Sequence, residues 1–509
     1  MEDKKRLEDD IEDLSILIDD VNEMTENLDD TVDKIEEKIN QGISINKEER
    51  HSSDYDDDFI NIVKKRDYKG KIEKNDPVFS RSNKKRKLKK WVYLLIIIVI
   101  LAIGGGIGTY LYIDKKNTEK RLAEEKAIMD NIKAHYHEYA KVSKDTKLYE
   151  KKDNEYNEIG TIYKDANIEL IEEEVKLDTK YFHIKDLDYY ISFEDIEEGS
   201  KQEIDDRYKN YVPFNSNIIT KDNFTMYINN EKFMTLNKEM EFPIIINNFE
   251  DKYYVEYNNM LVNISKDDVS KTKESKNTDK KNQSKITTLA YHRIYDTGES
   301  CTDVYVCMKK ANFDKEMKYL ADNNYFTLTM DEMYMYLKGN LQVSKGIVIT
   351  LDDGYKFKAA DEVLDKYKLN ATMFVTSGVF KNFEQFKGLK AIDVQSHTHN
   401  MHRNYVCPVT SSLSQGGAIL CTSKAKIVED LKKSLELLEI EPIAMAFPFY
   451  DFNDNAIAAV KEAGFKMAFV GRAGVLGKAT PKSTNLYKIP RMTVWELSIM
   501  SFNEWKSYL

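Results

Sequence analysis

Two adjacent carboxylates and a cluster of histidines are the residues of this chain best suited to chemistry. In GIVITLDDGYK an apolar run ends on Asp352 and Asp353, just before Gly354. Adjacent carboxylates at a strand end project in different directions, so one can bind a metal while the other stays free as a base. Asp and Gly also build ordinary turns, so the pair alone is weak evidence. In AIDVQSHTHNMHR, three of the protein's eight histidines, His397, His399 and His402, fall within six residues. Neutral imidazoles with a carboxylate make the open three-ligand site of a hydrolytic zinc, with one position left for water. His397 and His402 are five residues apart, which is about 140° around a regular helix, so they converge on one metal only through a loop. His399 shares a side with His397 on an extended segment and is the alternative second ligand.

These groups sit in a region where strand and helix patterns alternate. The apolar runs ITTLAYHRI, YFTLTM, GIVITLDD, ATMFVT, AIDVQSH, IAMAFPF, FKMAFV and YKIPRMTV are separated by helical stretches such as FDKEMKYLADN and KAKIVEDLKKSLELLE. That alternation predicts a distorted (β/α) barrel over 286–509, whose function gathers at the C-terminal ends of its strands.

The residues at those ends resemble the polysaccharide deacetylase family, carbohydrate esterase family 4 (the NodB homology domain). Thr350-Leu351-Asp352-Asp353-Gly354 is similar to its T-F-D-D-G motif, with Leu for Phe. His397-Thr398 followed by His402 is similar to its H-[ST]-x-x-H motif stretched by one residue. The stretched form and the upstream Tyr291-His292 pair are similar to the subgroup that deacetylates poly-N-acetylglucosamine. Phe447-Pro448-Phe449 resembles the motif lining the substrate groove, and Ile489-Pro490-Arg491 a late strand motif. The resemblance implies Asp352 as general base and Asp353, His397 and His402 as ligands of Zn2+ or another divalent transition metal. It implies a groove at Pro448, Phe449 and Tyr450, with an oxyanion donor among the backbone N–H groups of Phe449 and Tyr450. The family's usual late histidine acid is absent, since none follows His402, and in this subgroup the permuted motif order implies His292. The usual arginine before the groove motif is absent too, which leaves Arg491, or else Arg293, to orient Asp352.

Upstream, KYFHIKDLDYYISFEDI and KYYVEYNNMLVNISKDDV share an alternating cadence, an internal repeat of about 60 residues. The two units, at 141–200 and 210–269, resemble bacterial SH3-like small β-barrels, and 270–285 reads as a charged flexible linker. Before them, Val92 to Ile113 is an uncharged run of about 22 residues with Trp91, Tyr93, Tyr110 and Tyr112 at its ends, the pattern of a membrane-spanning helix. The basic block RSNKKRKLKK precedes it. The positive-inside rule therefore predicts a cytoplasmic N-terminus and an extracellular catalytic domain on a single-pass protein of the cell membrane. A juxtamembrane helix is expected over 114–140. Leu7, Ile11, Leu14, Ile18, Val21, Leu28, Val32, Ile35 and Ile39 follow a heptad seam, predicting a coiled coil over 1–40 and a homo-oligomer. Residues 41–90, acidic and then basic, are expected to be disordered.

The formal charge of −11 is spread over an acidic N-terminal third and a mixed remainder, and the one dense basic block adjoins the apolar run, which argues against nucleic acid as a partner. The four cysteines fall in two close pairs, Cys301 with Cys307 and Cys407 with Cys421. They are disulfides if the region faces an oxidising compartment, and otherwise buried thiols. The expected partners are the lipid bilayer and a surface glycan. The expected activity is metal-dependent hydrolysis of N-acetyl groups on N-acetylglucosamine, in peptidoglycan or a related polymer. The alternatives are an O-acetyl esterase of xylan type and a non-catalytic wall-binding protein.

Overall fold

The computed structural model describes residues 90–173, 175–202, 206–409 and 414–509, so the expected coiled coil and the segment 41–89 lie outside the described residues. The chain divides into two compact units, Met1–Leu101 and Ala102–Leu509. Of the first, only the opening of helix α1 (Lys90–Ala134) is described. The apolar stretch 92–113 is helical throughout, yet among the described residues no helix is long and apolar enough to cross a membrane. The helix expected to reach residue 140 stops at Ala134, because its last turn buries Ile132 in a β core and the chain enters a strand at Tyr139.

That core belongs to two all-β modules of one design. The first contains β1 (Tyr139–Val142), β2 (Thr146–Lys152), β3 (Glu155–Ile162), β4 (Asn167–Glu169), β5 (Tyr181–His183), β6 (Tyr189–Ser192) and β7 (Ile196–Glu198). The second contains β8 (Ser216–Thr220), β9 (Phe224–Ile228), β10 (Glu231–Leu236), β11 (Glu241–Pro243), β12 (Ile246–Phe249), β13 (Lys252–Tyr257), β14 (Met260–Ser265) and β15 (Val269–Glu274). In the first, β1 lies between β4 and β7 while β2 lies between β3 and β6; in the second, β8 lies between β11 and β15 while β9 lies between β10 and β14. The repeat is therefore topological, with β12 as the insertion. Its hairpins turn on paired left-handed residues, Asp153-Asn154 in one copy and Asn229-Asn230 in the other, which is the turn chemistry a tight twisted hairpin needs. The two copies are fused edge to edge by β3 and β10, where Gly160 stands opposite Leu236 and a Cβ would strike the Thr235 carbonyl.

The C-terminal half is a near-closed parallel barrel, as the alternating pattern predicts. Its strands are β16 (Thr287–Tyr291), β20 (Gly346–Leu351), β21 (Ala371–Val375), β22 (Ile392–Ser396), β23 (Ala444–Ala446), β24 (Met467–Val470), β25 (Ile489–Pro490) and β26 (Met492–Thr493). Outside the ring, β17 (Arg293–Tyr295) pairs with β18 (Cys307–Lys309), and β19 (Phe326–Thr327) branches from β20. Continuous apolar runs fit strands covered on both faces, and every residue of β16, β20, β21, β23 and β24 is buried. Closure comes from one segment: β25 pairs with β24, β26 pairs with β16, and Arg491 lies between them at the seam. The ring is wrapped by α2 (Lys310–Asp322), α3 (Met330–Lys338), α4 (Lys358–Lys366), α5 (Lys424–Leu438) and α6 (Asp454–Glu462), with α7 (Ala473–Leu476) and α8 (Phe502–Ser507) near the end.

The stretch 270–285 is not the free linker its composition suggests. Val269–Glu274 is a strand, Asn277 donates to the carbonyls of Phe214 and Ser216, and Gln283 donates its N–H to the Val343 carbonyl while its side chain exchanges hydrogen bonds with the Gly346 backbone. Backbone partners from both sides convert its polar side chains into ties. The second module also docks directly on the barrel. Tyr208, Tyr211, Ile245 and Ile246 share a core with Leu328, Met333 and Val343, while Arg207 and Tyr211 bond Glu332 in the capping box that opens α3.

Candidate active site

The C-terminal ends of β16, β20, β22 and β23 surround a cavity of about 440 Å³. Its lining includes His292, Asp352, Asp353, His397, His402, Phe449 and Tyr450, so the structure brings the candidate residues of four separate motifs together. Pro448 is buried behind this wall and does not line it.

Asp352 leaves β20 with its N–H donated to the Tyr291 carbonyl (2.9 Å) and its carboxylate gripped by Arg491. Nη1 donates to Oδ1 at 2.7 Å and Nη2 to Oδ2 at 2.8 Å, a two-pronged pair between groups that are 2% and 1% exposed. Nη1 also meets the Thr350 hydroxyl, which is anchored on the Leu289 carbonyl, so three strands fix the guanidinium. Burial pushes the Asp352 carboxyl up, but Arg491 and His397 outweigh it, and the net shift is downward. Asp352 is therefore an ionised, oriented acceptor near neutral pH. Of the two arginines considered for this task, Arg491 performs it. Arg293 instead lies 3.4 Å from Asp353 with its guanidinium over the Tyr355 ring.

Asp353 turns the other way because its backbone is left-handed, with φ of 76°. That conformation is costly for a residue with a side chain and tends to persist at functional sites. Thr398, Phe449 and Tyr450 share it, at φ of 76°, 55° and 59°. The ligand atoms of Asp353, His397 and His402 lie within 4.8 Å of one another. His397 donates Nδ1–H to the Ala446 carbonyl at 2.7 Å, which leaves the Nε2 lone pair facing the cavity. Burial pushes its pKa down to about 4, so the ring is neutral.

His402 Nε2 stands 3.1 Å from Asp353 Oδ1, yet that buried oxygen has no aligned hydrogen-bond donor among the described residues. An acceptor facing lone pairs at this spacing fits a shared cation, and two imidazoles with one carboxylate are a hydrolytic metal's donor set. Of the two candidate histidines, the loop brings His402 to Asp353 and His397. Asp430 accepts the N–H groups of His399 and Asn400 (2.8 and 2.7 Å), and His399 Nδ1 meets the Ser377 hydroxyl, which turns it away. Asp430, in α5, was missed from sequence because nothing in a helix's acidic face marks a loop anchor.

His292 lines the same cavity, and its buried Nδ1 has no hydrogen-bond partner among the described residues. The Tyr450 N–H is already donated to the Phe447 carbonyl at 3.1 Å, so of the two amides considered for an oxyanion, Phe449's is the one left over. Its ring packs on His402, and the Tyr450 hydroxyl bonds Thr493. A Cβ at Gly471 would come 2.5 Å from the Tyr450 ring, so glycine is what lets that ring lie flat against β24's end.

Other walls come from loops that carry no motif. Asp303, Tyr305 and Val306 lie in the loop closed by the Cys301–Cys307 disulfide, and Gln415 in the one closed by Cys407–Cys421; both disulfides are formed. Trp495, edge-on to Tyr305, completes the rim. The cysteine spacing is the only sequence signal that could have pointed to them.

Residues 341–468 match the polysaccharide deacetylase family. A poly-β-1,6-N-acetyl-D-glucosamine N-deacetylase of Staphylococcus aureus (strain MRSA252) is 27% identical over 206 residues, covering 37% of this chain and 67% of that protein. The same enzyme from strain N315 is 26% identical over the same span. Among solved structures, a de-N-acetylase from Aggregatibacter actinomycetemcomitans is 19% identical with a TM-score of 0.37, over 44% of this chain and all of that one. A Streptococcus pyogenes deacetylase is 21% identical with a TM-score of 0.36, over 44% of this chain and 97% of that one. The sequence matches and the assembled motifs agree: within the C-terminal barrel, residues 341–468 match the polysaccharide deacetylases, which are hydrolases of amide C–N bonds.

Proposed function

We propose that the barrel hydrolyses the N-acetyl groups of a poly-N-acetylglucosamine type surface polymer. The observation that carries this reading is Asp352, ionised and held by Arg491, beside the convergent Asp353, His397 and His402. The staphylococcal relatives favour a β-1,6-linked exopolysaccharide over peptidoglycan.

Asp353, His397 and His402 would hold the metal, with zinc favoured by the donor set. When bound, it would supply Lewis-acid polarisation of the acetamide carbonyl and activation of a water. Asp352 takes the proton of the attacking water. Arg491 keeps that carboxylate charged and aimed. The Phe449 N–H faces the developing oxyanion, and His292 delivers a proton to the departing amine.

The location belongs to the same proposal. The uncharged run 92–113, its aromatic ends and the basic block before it support a single-pass anchor with the barrel outside the cell, where two disulfides persist. The repeated β-modules, SH3-like in cadence, form the stalk, and the heptads of 1–40 would pair copies inside.

The test is acetate release by the whole chain in detergent from β-1,6-linked oligomers, chitin oligomers and peptidoglycan, after chelation and after zinc is restored. Metal-dependent release, greatest on the β-1,6 oligomers, is expected. No release from any acetylated glycan with metal present would sink the enzymatic reading, and release from peptidoglycan alone would move the substrate.

A further inference from the structure

The outward face of the first module's sheet carries a continuous row of rings. Tyr149 lies 4.5 Å from Tyr181, Tyr181 lies 4.5 Å from Tyr156, Tyr156 lies 5.2 Å from Tyr190, and Tyr190 stacks on His183 at 4.5 Å. All five rings are half-buried, neither packed in the core nor free in water. Contiguous exposed aromatic surface of this kind marks a binding site more often than it occurs by chance.

The second module shows what the equivalent face does. His183 opposite Tyr190 corresponds in pairing register to Tyr254 opposite Asn263, and Tyr254 with Leu261 packs on the barrel core. One copy's face is covered by the chain itself, while the other's is open.

Three observations favour a sugar chain as its occupant. The amines beside the rings are already engaged, with Lys147 paired to Glu158 and Lys151 lying over Tyr156, so neither is held out for an anionic partner. Tyrosines offer an apolar face and a polar tip, which suits a pyranose ring with C–H groups on its faces and hydroxyls at its edge. Tyr149 and Tyr181 also line a cavity of about 730 Å³ that presents Asn131, Asp178, Thr179 and Ser192, a size and polarity suited to a small ligand or one end of a chain.

We propose that this face is a second carbohydrate-binding site, separate from the catalytic cavity, which holds an uncharged acetylated glycan chain. The choice of an acetylated glycan rests on the deacetylase reading; the site itself rests on the rings and the cavity.

The test uses the full chain in detergent micelles carrying Asp352→Asn, so that bound polymer is not consumed. Retention on insoluble poly-N-acetylglucosamine is compared for this chain, the same chain with Tyr156→Ala and Tyr190→Ala, and one with Tyr156→Phe and Tyr190→Phe. The alanine pair is expected to weaken retention by about tenfold or more, while the phenylalanine pair keeps most of it. With Asp352 restored, the alanine pair should release acetate from short soluble oligomers as the parent does. Equal retention by the alanine pair, or retention on peptides or proteins and on no glycan, overturns the proposal. A parent that binds polymer through these tyrosines yet releases no acetate from any oligomer leaves this site standing and removes the deacetylase reading instead.

Discussion

Two arginines in this molecule grip a carboxylate with two nitrogens each, and they serve different ends. Arg491 holds Asp352 at 2.7 and 2.8 Å inside the barrel, and Arg207 holds Glu332 at 3.1 and 2.5 Å where the second module meets it. The difference lies in what each acid has left. Glu332 also accepts from the Tyr211 hydroxyl (2.6 Å) and the Thr329 N–H (2.7 Å), so its lone pairs are spent on structure. Among the described residues Asp352 has no further side-chain donor beyond Arg491, and its remaining lone pairs face the cavity with His397 Nε2 3.9 Å away. An arginine fork therefore says that a carboxylate stays ionised and fixed. Function follows from unspent valence.

The strongest way to break that contrast is to remove the proton acceptor. Asp352→Asn should cut acetate release on the order of a thousandfold at saturating substrate and metal, while Glu332→Gln should leave turnover on short oligomers unchanged. Removing the cation comes next. Arg491→Met leaves a buried carboxylate alone, so thermal or denaturant unfolding should show a loss of about 3–5 kcal/mol. The acid limb of the pH–rate profile should also move to higher pH as the Asp352 pKa rises. An unchanged profile would show that Arg491 does not set that charge.

At the docking seam the effect should be smaller, because Arg207 is about a third exposed. Arg207→Met is expected to cost about 1–3 kcal/mol and to separate the unfolding of module and barrel into two transitions, with activity on short oligomers retained.

The last prediction concerns a buried carboxylate with no arginine. Glu316, bonded by the Tyr291 hydroxyl, has its pKa pushed up to about 8, mainly by burial. The folded state then holds a proton that the unfolded chain releases. Its contribution to stability is complete below the ordinary value of 4.5 and is lost as pH rises to about 8. Glu316→Gln should flatten that fall in stability measured across this range; an equally steep fall in the variant would place its source elsewhere.

Much of the barrel was legible in the sequence because burial on both faces writes each strand as an uninterrupted apolar run. All eight runs land on strands, although YFTLTM yields only Phe326–Thr327 branching from β20, a distinction of pairing that hydropathy does not encode. Asp352, Asp353, His397 and His402 were legible because their chemistry needs particular side chains at close spacing. What could not be read depends on partners far away in the chain. Asp430 closes the histidine loop from 31 residues downstream, Arg207 finds Glu332 across 125, and Phe447 consumes the Tyr450 amide through a turn. The stretch 270–285 misled for the converse reason: its polar side chains read as solvent-loving, whereas Asn277 and Gln283 spend theirs on neighbouring backbone.

The segment Ile489–Thr493 that shuts the barrel also delivers Arg491 to Asp352. Because Arg491 follows Asp352, Asp353, His397 and His402 in the chain, a nascent polypeptide can display every one of those groups before any cation steadies the base. Sealing the ring and arming the site are thus one event in time, and a barrel whose last strand is unzipped should be catalytically silent even with its other strands in place.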